Sequence, residues 1–231
     1  MSRTTWAIVP VKQLSQAKRR LARVLPVEAR RRLVLAMLRE VLATLAQVDA
    51  INAVLVVTPD AQAAEVAHKM ESMVLREPRV AGLNAAVRQG LAYAREHGAS
   101  QALVLPADVP LATPDELSRV VENAADSSGP RVVLVPSHDG EGTNALLLSP
   151  PGILPPSFGP GSFLRHLAQA VARKLDVQVL QLPGLANDVD ERRDLERLVA
   201  HKQGSDIYSF LEAHLSKPAD RPQRPTRGTE S

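Results

Sequence analysis

The stretch Leu105-Pro106-Ala107-Asp108-Val109-Pro110-Leu111 constrains the fold most. It continues Ala102-Leu103-Val104-Leu105, an apolar run without polar alternation, which suits a central strand covered on both faces. Such a strand needs a packed layer on each side. The two prolines hold their preceding residues extended and end the ladder, so Asp108 is expected at the carboxyl edge of a sheet. Open α/β sheets bind ligands at that edge. A carboxylate there suits a hard cation such as Mg²⁺ beside a nucleotide phosphate. It suits an Asx-type helix cap equally well, because Asp115 and Glu116 open a helix shortly after it.

Strand and helix signals alternate along the chain. Apolar strands are expected at Trp6–Val11, Ala53–Thr58, around Leu103, at Val132–Val135, Thr143–Leu148 and Val177–Leu182, with a short edge strand at Met73–Leu75. Helices are expected at Arg30–Leu45, after Pro59-Asp60, at Gly82–His97, Pro114–Ala125, Phe163–Lys174 and, as the final regular helix, Glu191–His201. In Arg30–Leu45 the residues Leu33, Met37, Val41 and Leu45 recur at helical spacing, and Val34, Leu38 and Leu42 widen the stripe. Short links between alternating elements predict a single-domain α/β fold with a doubly wound, mostly parallel sheet over residues 1–215. Residues 216–231, rich in Pro and Arg with a net charge of +2, read as a disordered basic tail. The net charge of the whole chain is only +3, so the body is nearly neutral.

With 231 residues, 45% of them hydrophobic and 3% aromatic, the chain can build a large core of mostly Leu, Val and Ala. It contains no cysteine, which excludes disulfides, thiolate metal sites and thiol nucleophiles. No apolar run approaches the ~20 residues of a membrane span, and no signal-peptide pattern opens the chain. A soluble cytoplasmic protein is expected, without nucleic-acid or membrane partners; a homodimer is left open.

The first glycine of the chain is Gly82. Neither a Walker A loop nor a dinucleotide-binding glycine motif can therefore follow the first strand. A nucleotide bound there would depend on cationic side chains, and Lys12, Lys18, Arg19, Arg20 and Arg23 are candidates. The same cluster reads as a solvated helix face, since Arg30, Arg31 and Arg32 continue it. Lys12 differs in leaving a strand at the ligand edge.

In Asp188-Val189-Asp190 an extended backbone puts both carboxylates on one side. Two parallel carboxylates favour a cation between them. Asp190 also suits the N-cap of the next helix, and both roles are compatible. With Asp108 the pair makes three carboxylates, enough for a divalent-metal site. The glycine-dense segments Asp139–Ala145 and Ser157–Phe163 lead into a strand and a helix. Glycines before a helix let backbone N–H groups close around an anion, with hydroxyls from Thr143 and Ser162 alongside. Ser162 reads equally as a plain N-cap and Gly142 as a hairpin residue. Asn84, after Gly82-Leu83, suits a base or ribose contact or a simple helix cap; His138 and His166 near these loops read as structural or solvent-facing.

Taken in order, Val9-Pro10-Val11-Lys12, Ala17-Lys18-Arg19-Arg20-Leu21, Gly82-Leu83-Asn84, Leu105-Pro106-Ala107-Asp108, Gly142-Thr143-Asn144-Ala145-Leu146, Phe158–Phe163 and Asp188-Val189-Asp190 form a specific set. It closely resembles the 2-phospho-L-lactate or phosphoenolpyruvate guanylyltransferases of coenzyme F-420 biosynthesis, over roughly Trp6 to Val199. The resemblance implies a nucleotidyltransferase fold similar to that of molybdenum-cofactor guanylyltransferase. It implies that GTP and a small phosphorylated carboxylic acid react to give a guanylyl-(5′)-diphospho-linked acid and pyrophosphate. By the same resemblance Asp108, Asp188 and Asp190 hold Mg²⁺. Thr143, Gly159 and Ser162 bind the phospho-acid, and Lys12, Lys18 and Arg20 face the triphosphate. Asn84, from its place after Gly82-Leu83, is expected with Lys18 on the nucleotide. Two positions depart from the pattern: Arg19 stands where a small residue is usual, and Glu191-Arg192-Arg193 replaces a Thr-Pro helix start.

The acceptor phosphate is already an anion and needs no general base, which agrees with a site of cations and carboxylates lacking an evident nucleophile. Phosphoenolpyruvate is favoured as acceptor over 2-phospho-L-lactate and 3-phospho-D-glycerate. The alternatives are a nucleotidyltransferase for a sugar phosphate or molybdopterin-like phosphate, and a non-catalytic nucleotide-binding regulator. Nucleic-acid binding would need aromatics interleaved with the basic loop, which the chain lacks.

Overall fold

The structure, a computed structural model, describes residues 3–76, 82–125, 129–202 and 208–215. The expected tail 216–231 lies outside the described residues.

Among the described residues seven strands form one sheet in the order β3-β2-β1-β4-β6-β5-β7. They are β1 (Thr5–Pro10), β2 (Ala53–Thr58), β3 (Met73–Arg76), β4 (Gln101–Val104), β5 (Arg131–Pro136), β6 (Thr143–Ser149) and β7 (Asp176–Val179). The helices are α1 (Val27–Leu45), α2 (Ala61–Lys69), α3 (Leu83–Glu96), α4 (Pro114–Ala125), α5 (Ser162–Ala172), α6 (Pro183–Ala186), α7 (Arg192–His201) and α8 (Ser209–Leu215). Among the described residues β6 alone runs against the others: it pairs antiparallel with β4 and β5, whereas β1–β2, β1–β4, β2–β3 and β5–β7 are parallel.

The apolar runs are strands because both faces are covered. In β1, Ala7 and Val9 enter the core under α1, α2 and α4, while Trp6 and Ile8 enter the opposite core with α3. In β6, Ala145 and Leu147 join the first core, and Leu146 and Leu148 the second. Full burial of the Val, Ile and Leu side chains among these stabilises the fold by about 1.5–3 kcal/mol each.

Most expected elements lie where periodicity placed them, and the differences have local causes. Helix α1 begins at Val27, not Arg30, because Pro26 sets its start and Glu28 in the first turn carries no apolar periodicity. Strand β7 stops at Val179, since its pairing with β5 covers only Arg131–Leu134; Leu182 instead caps the short α6. Helix α7 is followed by α8, so Glu191–His201 is not the last helix. No helix among the described residues is long and apolar enough to cross a membrane.

Candidate active site

The antiparallel β6 decides where the site lies. Strands β1 and β4 end at one edge of the sheet, and β6, running the other way, begins there. Residues after β1, after β4 and at the start of β6 therefore surround one cavity of about 670 Å³. Lys12, Lys18, Arg20, Asp108, Thr143, Gly159, Ser162, Asp188 and Asp190 all line it.

At one end Lys18 bridges two carboxylates. Its Nζ lies 2.6 Å from Asp108 Oδ2 and 2.7 Å from Asp190 Oδ1, and its side chain is only 8% exposed. The residue adopts a left-handed backbone (φ 49°, ψ 47°) as it caps the one-and-a-half-turn 3₁₀ helix Arg19–Arg23. That conformation costs an L-residue about 1–2 kcal/mol. Burial alone would lower the Lys18 pKa, yet the charges and hydrogen bonds of Asp108 and Asp190 outweigh it and leave it raised. For Asp190, burial is likewise outweighed, by Lys18 and then Arg20 and Lys12, so its pKa is lowered. Arg20 is the outer partner, with its guanidinium 3.8 Å from Asp190 and 68% exposed.

Asp188 is held differently. Asn144, the second residue of β6, donates from Nδ2 to the Leu185 carbonyl at 3.0 Å and to Asp188 Oδ1 at 3.1 Å. Burial, together with the charges of Asp108 and Asp190, raises the Asp188 pKa against the Asn144 bond. The segment carrying both aspartates is anchored from α4. Glu116 accepts from Gly184 N at 2.7 Å and Leu185 N at 3.2 Å, and Val189 N donates to the Asp108 carbonyl at 3.0 Å. Gly184 is required there, because a Cβ would collide with the Glu116 carboxylate and the Leu111 carbonyl.

The expected three-carboxylate cluster is thus assembled with an ammonium between two of its members. Among the described residues no group of three His, Cys, Asp or Glu side chains is arranged to hold a metal as it stands. The donor set still fits a hard cation. Three carboxylates line one cavity, and Lys18 pairs with only two of them, Asp108 and Asp190.

At the other end, the loop Ser157–Gly161 before α5 is stapled by side chains. Asn84 on α3 donates from Nδ2 to the Phe158 carbonyl at 3.1 Å and accepts from Phe158 N at 2.7 Å. Arg165 donates to the Ser157 carbonyl at 2.8 Å and to the Pro160 carbonyl. Gln169 donates to Ser157 Oγ at 2.6 Å. Gly159 (φ 121°) and Gly161 (φ 68°) supply the left-handed turns.

Two expectations change here. Asn84, expected on the nucleotide, spends its amide on Phe158 and does not line the cavity. The helix N-terminus is less open than expected, because Ser162 N donates to the Gly159 carbonyl at 3.0 Å and Phe163 N to the Glu141 carbonyl at 3.2 Å. Gly161, not Ser162, is the N-cap, which leaves Ser162 as the first helical residue, 1% exposed and, like Thr143, part of the cavity wall. The Phe163–Glu141 bond ties the loop before β6 to the start of α5.

Sequence reading missed three supporting residues: Asn144, Glu116 and His166. The first stood in a recognised motif and the second opened a recognised helix, but no local signal ties position 144 to 188 or 116 to 184. His166 read as a lone histidine because its partners, Thr143 and Ser157, belong to other segments.

Among the described residues, a seven-stranded, mostly parallel sheet thus gathers cations and carboxylates at its carboxyl edge. A solved nucleotidyl transferase of Methanothermobacter shares this fold with a TM-score of 0.59 at 19% identity, covering 86% of this chain and 97% of that one. Sequence comparison is narrower: the family described as "Guanylyl transferase CofC like" matches residues 5–219, and the chain belongs to that family. A relative in Rubrobacter xylanophilus, named phosphoenolpyruvate guanylyltransferase, is 45% identical over 197 residues, 85% of this chain and 94% of its own length. One in Methanothermobacter thermautotrophicus, named 2-phospho-L-lactate guanylyltransferase, is 31% identical over 207 residues, 90% of this chain and 89% of that relative.

Proposed function

We propose that this protein transfers GMP from GTP to a small phosphorylated carboxylic acid, phosphoenolpyruvate by preference, and releases pyrophosphate, as a step of coenzyme F-420 synthesis. The observation that carries the reading is the make-up of the cavity. The cluster of Lys18, Arg20, Asp108 and Asp190 lines the same cavity as Thr143, Gly159 and Ser162. The name of the 45% identical relative supports the acceptor.

In this reading Lys12, Lys18 and Arg20 bind the triphosphate of GTP. Thr143, Gly159 and Ser162 bind the phospho-acid. Asp108, Asp188 and Asp190 would hold Mg²⁺, which when bound neutralises charge on the phosphates and on the departing pyrophosphate. Asn84 acts through Phe158. A phosphate oxygen of the acid attacks the α-phosphorus of GTP. The new P–O bond forms as the bond to the β-phosphate breaks, and pyrophosphate leaves with that electron pair. The acceptor oxygen is already deprotonated, so the chain's task is positioning and charge neutralisation.

The test is pyrophosphate release with GTP and Mg²⁺ against phosphoenolpyruvate, 2-phospho-L-lactate and 3-phospho-D-glycerate, with ATP and CTP as controls. Release that needs GTP and phosphoenolpyruvate is expected. Release with a different acid would change the acceptor, and silence with all three would overturn the reading.

A further inference from the structure

We infer that His166 is a positioning residue that presents the Thr143 hydroxyl to the acceptor end of the cavity as a hydrogen-bond donor. The inference rests on Thr143 contacting the phospho-acid, as proposed above.

His166 is fully buried on α5, under the loop Ser157–Gly161 and against the edge of the Phe158 ring, 5.0 Å between centroids. Both ring nitrogens are engaged. The Ser157 backbone N–H lies 2.9 Å from Nε2, and a backbone N–H can only donate, so Nε2 must be the bare nitrogen. Burial, with the neighbouring Arg165 charge, lowers the pKa to about 4, so the ring is neutral near pH 7. A neutral ring with a bare Nε2 carries its proton on Nδ1. Nδ1 lies 3.0 Å from Thr143 Oγ1, and Nδ1–H therefore donates to that oxygen.

The hydroxyl proton of Thr143 cannot then point at His166. Thr143 lines the cavity, as Ser162 does, and its proton is left to an acceptor there. An ionised phosphate or carboxylate oxygen is such an acceptor, whereas a ligand hydroxyl that must donate is not. A backbone amide thus selects the tautomer, the tautomer directs the hydroxyl, and the hydroxyl favours an anion.

The first measurement needs no variant: the ring ¹⁵N resonances of His166 at neutral pH. A pyrrole-type Nδ1 with a pyridine-type Nε2 is expected; the opposite tautomer or a doubly protonated ring overturns the inference. The second is a double-mutant cycle read in KM for phosphoenolpyruvate and for GTP. Thr143→Val and His166→Leu should each raise the acid KM about tenfold, the cost of one hydrogen bond to a charged group. GTP KM should stay within about twofold, and the double variant should be no worse than either single one. His166→Asn, whose amide can donate in place of Nδ1–H, should recover most of the loss and covers the case in which His166→Leu does not fold. Additive losses, or equal losses for both substrates, overturn the inference. An effective Thr143→Val with a silent His166→Leu overturns it alone. A silent Thr143→Val overturns the placement of the acid as well.

Discussion

Lys18 and Asp108 stand 90 residues apart in the chain and 2.6 Å apart in space, joined as ammonium and carboxylate at the mouth of β4. With Asp190 on its other side, Lys18 occupies the position between two carboxylates where a cation is electrostatically most favourable. Replacement by methionine leaves those carboxylates facing each other. Because Asp108 and Asp190 are 30% and 41% exposed, the loss of stability should be moderate, about 1–2 kcal/mol. Turnover should fall about 100-fold as a phosphate-binding charge is lost. Thermal melting should also show Mg²⁺ stabilising Lys18→Met more than the wild type; an equal shift in both would mean that Lys18 and the cation do not share a place.

Asp188 should behave in the opposite sense. Its raised pKa means that the folded state disfavours its charged form, so above that pKa the carboxylate subtracts from stability. Asp188→Asn keeps the shape and can still accept from Asn144. We expect the melting temperature to rise by about 2–4 °C, corresponding to ~1 kcal/mol, while turnover becomes undetectable. A lower melting temperature would show that the charge is already compensated.

His166 makes a pH prediction. Its pKa is about 4 in the fold and 6.5 in the unfolded chain, so the unfolded state takes up the proton first as pH falls. The contribution is complete above pH 6.5, declines as pH falls from there, and levels off below about 4. Wild-type protein should lose stability over that window relative to His166→Asn, by up to ~3 kcal/mol. Chemical denaturation at pH 7, 5.5 and 4.5 measures the difference; parallel curves for the two proteins would contradict a buried neutral ring.

Asn84 clamps the backbone of Phe158 by two bonds, and Asn84→Ala leaves a part-buried N–H and carbonyl without those partners. A cost of about 1–3 kcal/mol is expected. Since the clamp holds the loop that carries Gly159, the effect should fall on the phospho-acid, raising its KM at least fivefold more than that of GTP. A larger effect on GTP would return Asn84 to the nucleotide.

The elements of this protein were readable one segment at a time. Strands such as Ala53–Thr58 and helices such as Pro114–Ala125 follow from apolar runs, helical spacing and prolines, because those signals lie within a few residues of one another. The lack of glycine before position 82 likewise directed attention to Lys12, Lys18 and Arg20, and the ordered motifs pointed to the family. Tertiary structure alone decided what those residues touch. No local pattern says that Lys18 reaches Asp108 and Asp190, that Asn84 serves Phe158, or that Asn144 braces Asp188. Nor does sequence spacing show that β6 runs in reverse and so brings Thr143 to the edge where β1 and β4 end. Periodicity reports which face of a segment is buried; the partner on the other side of a contact is set by how the chain closes around the sheet.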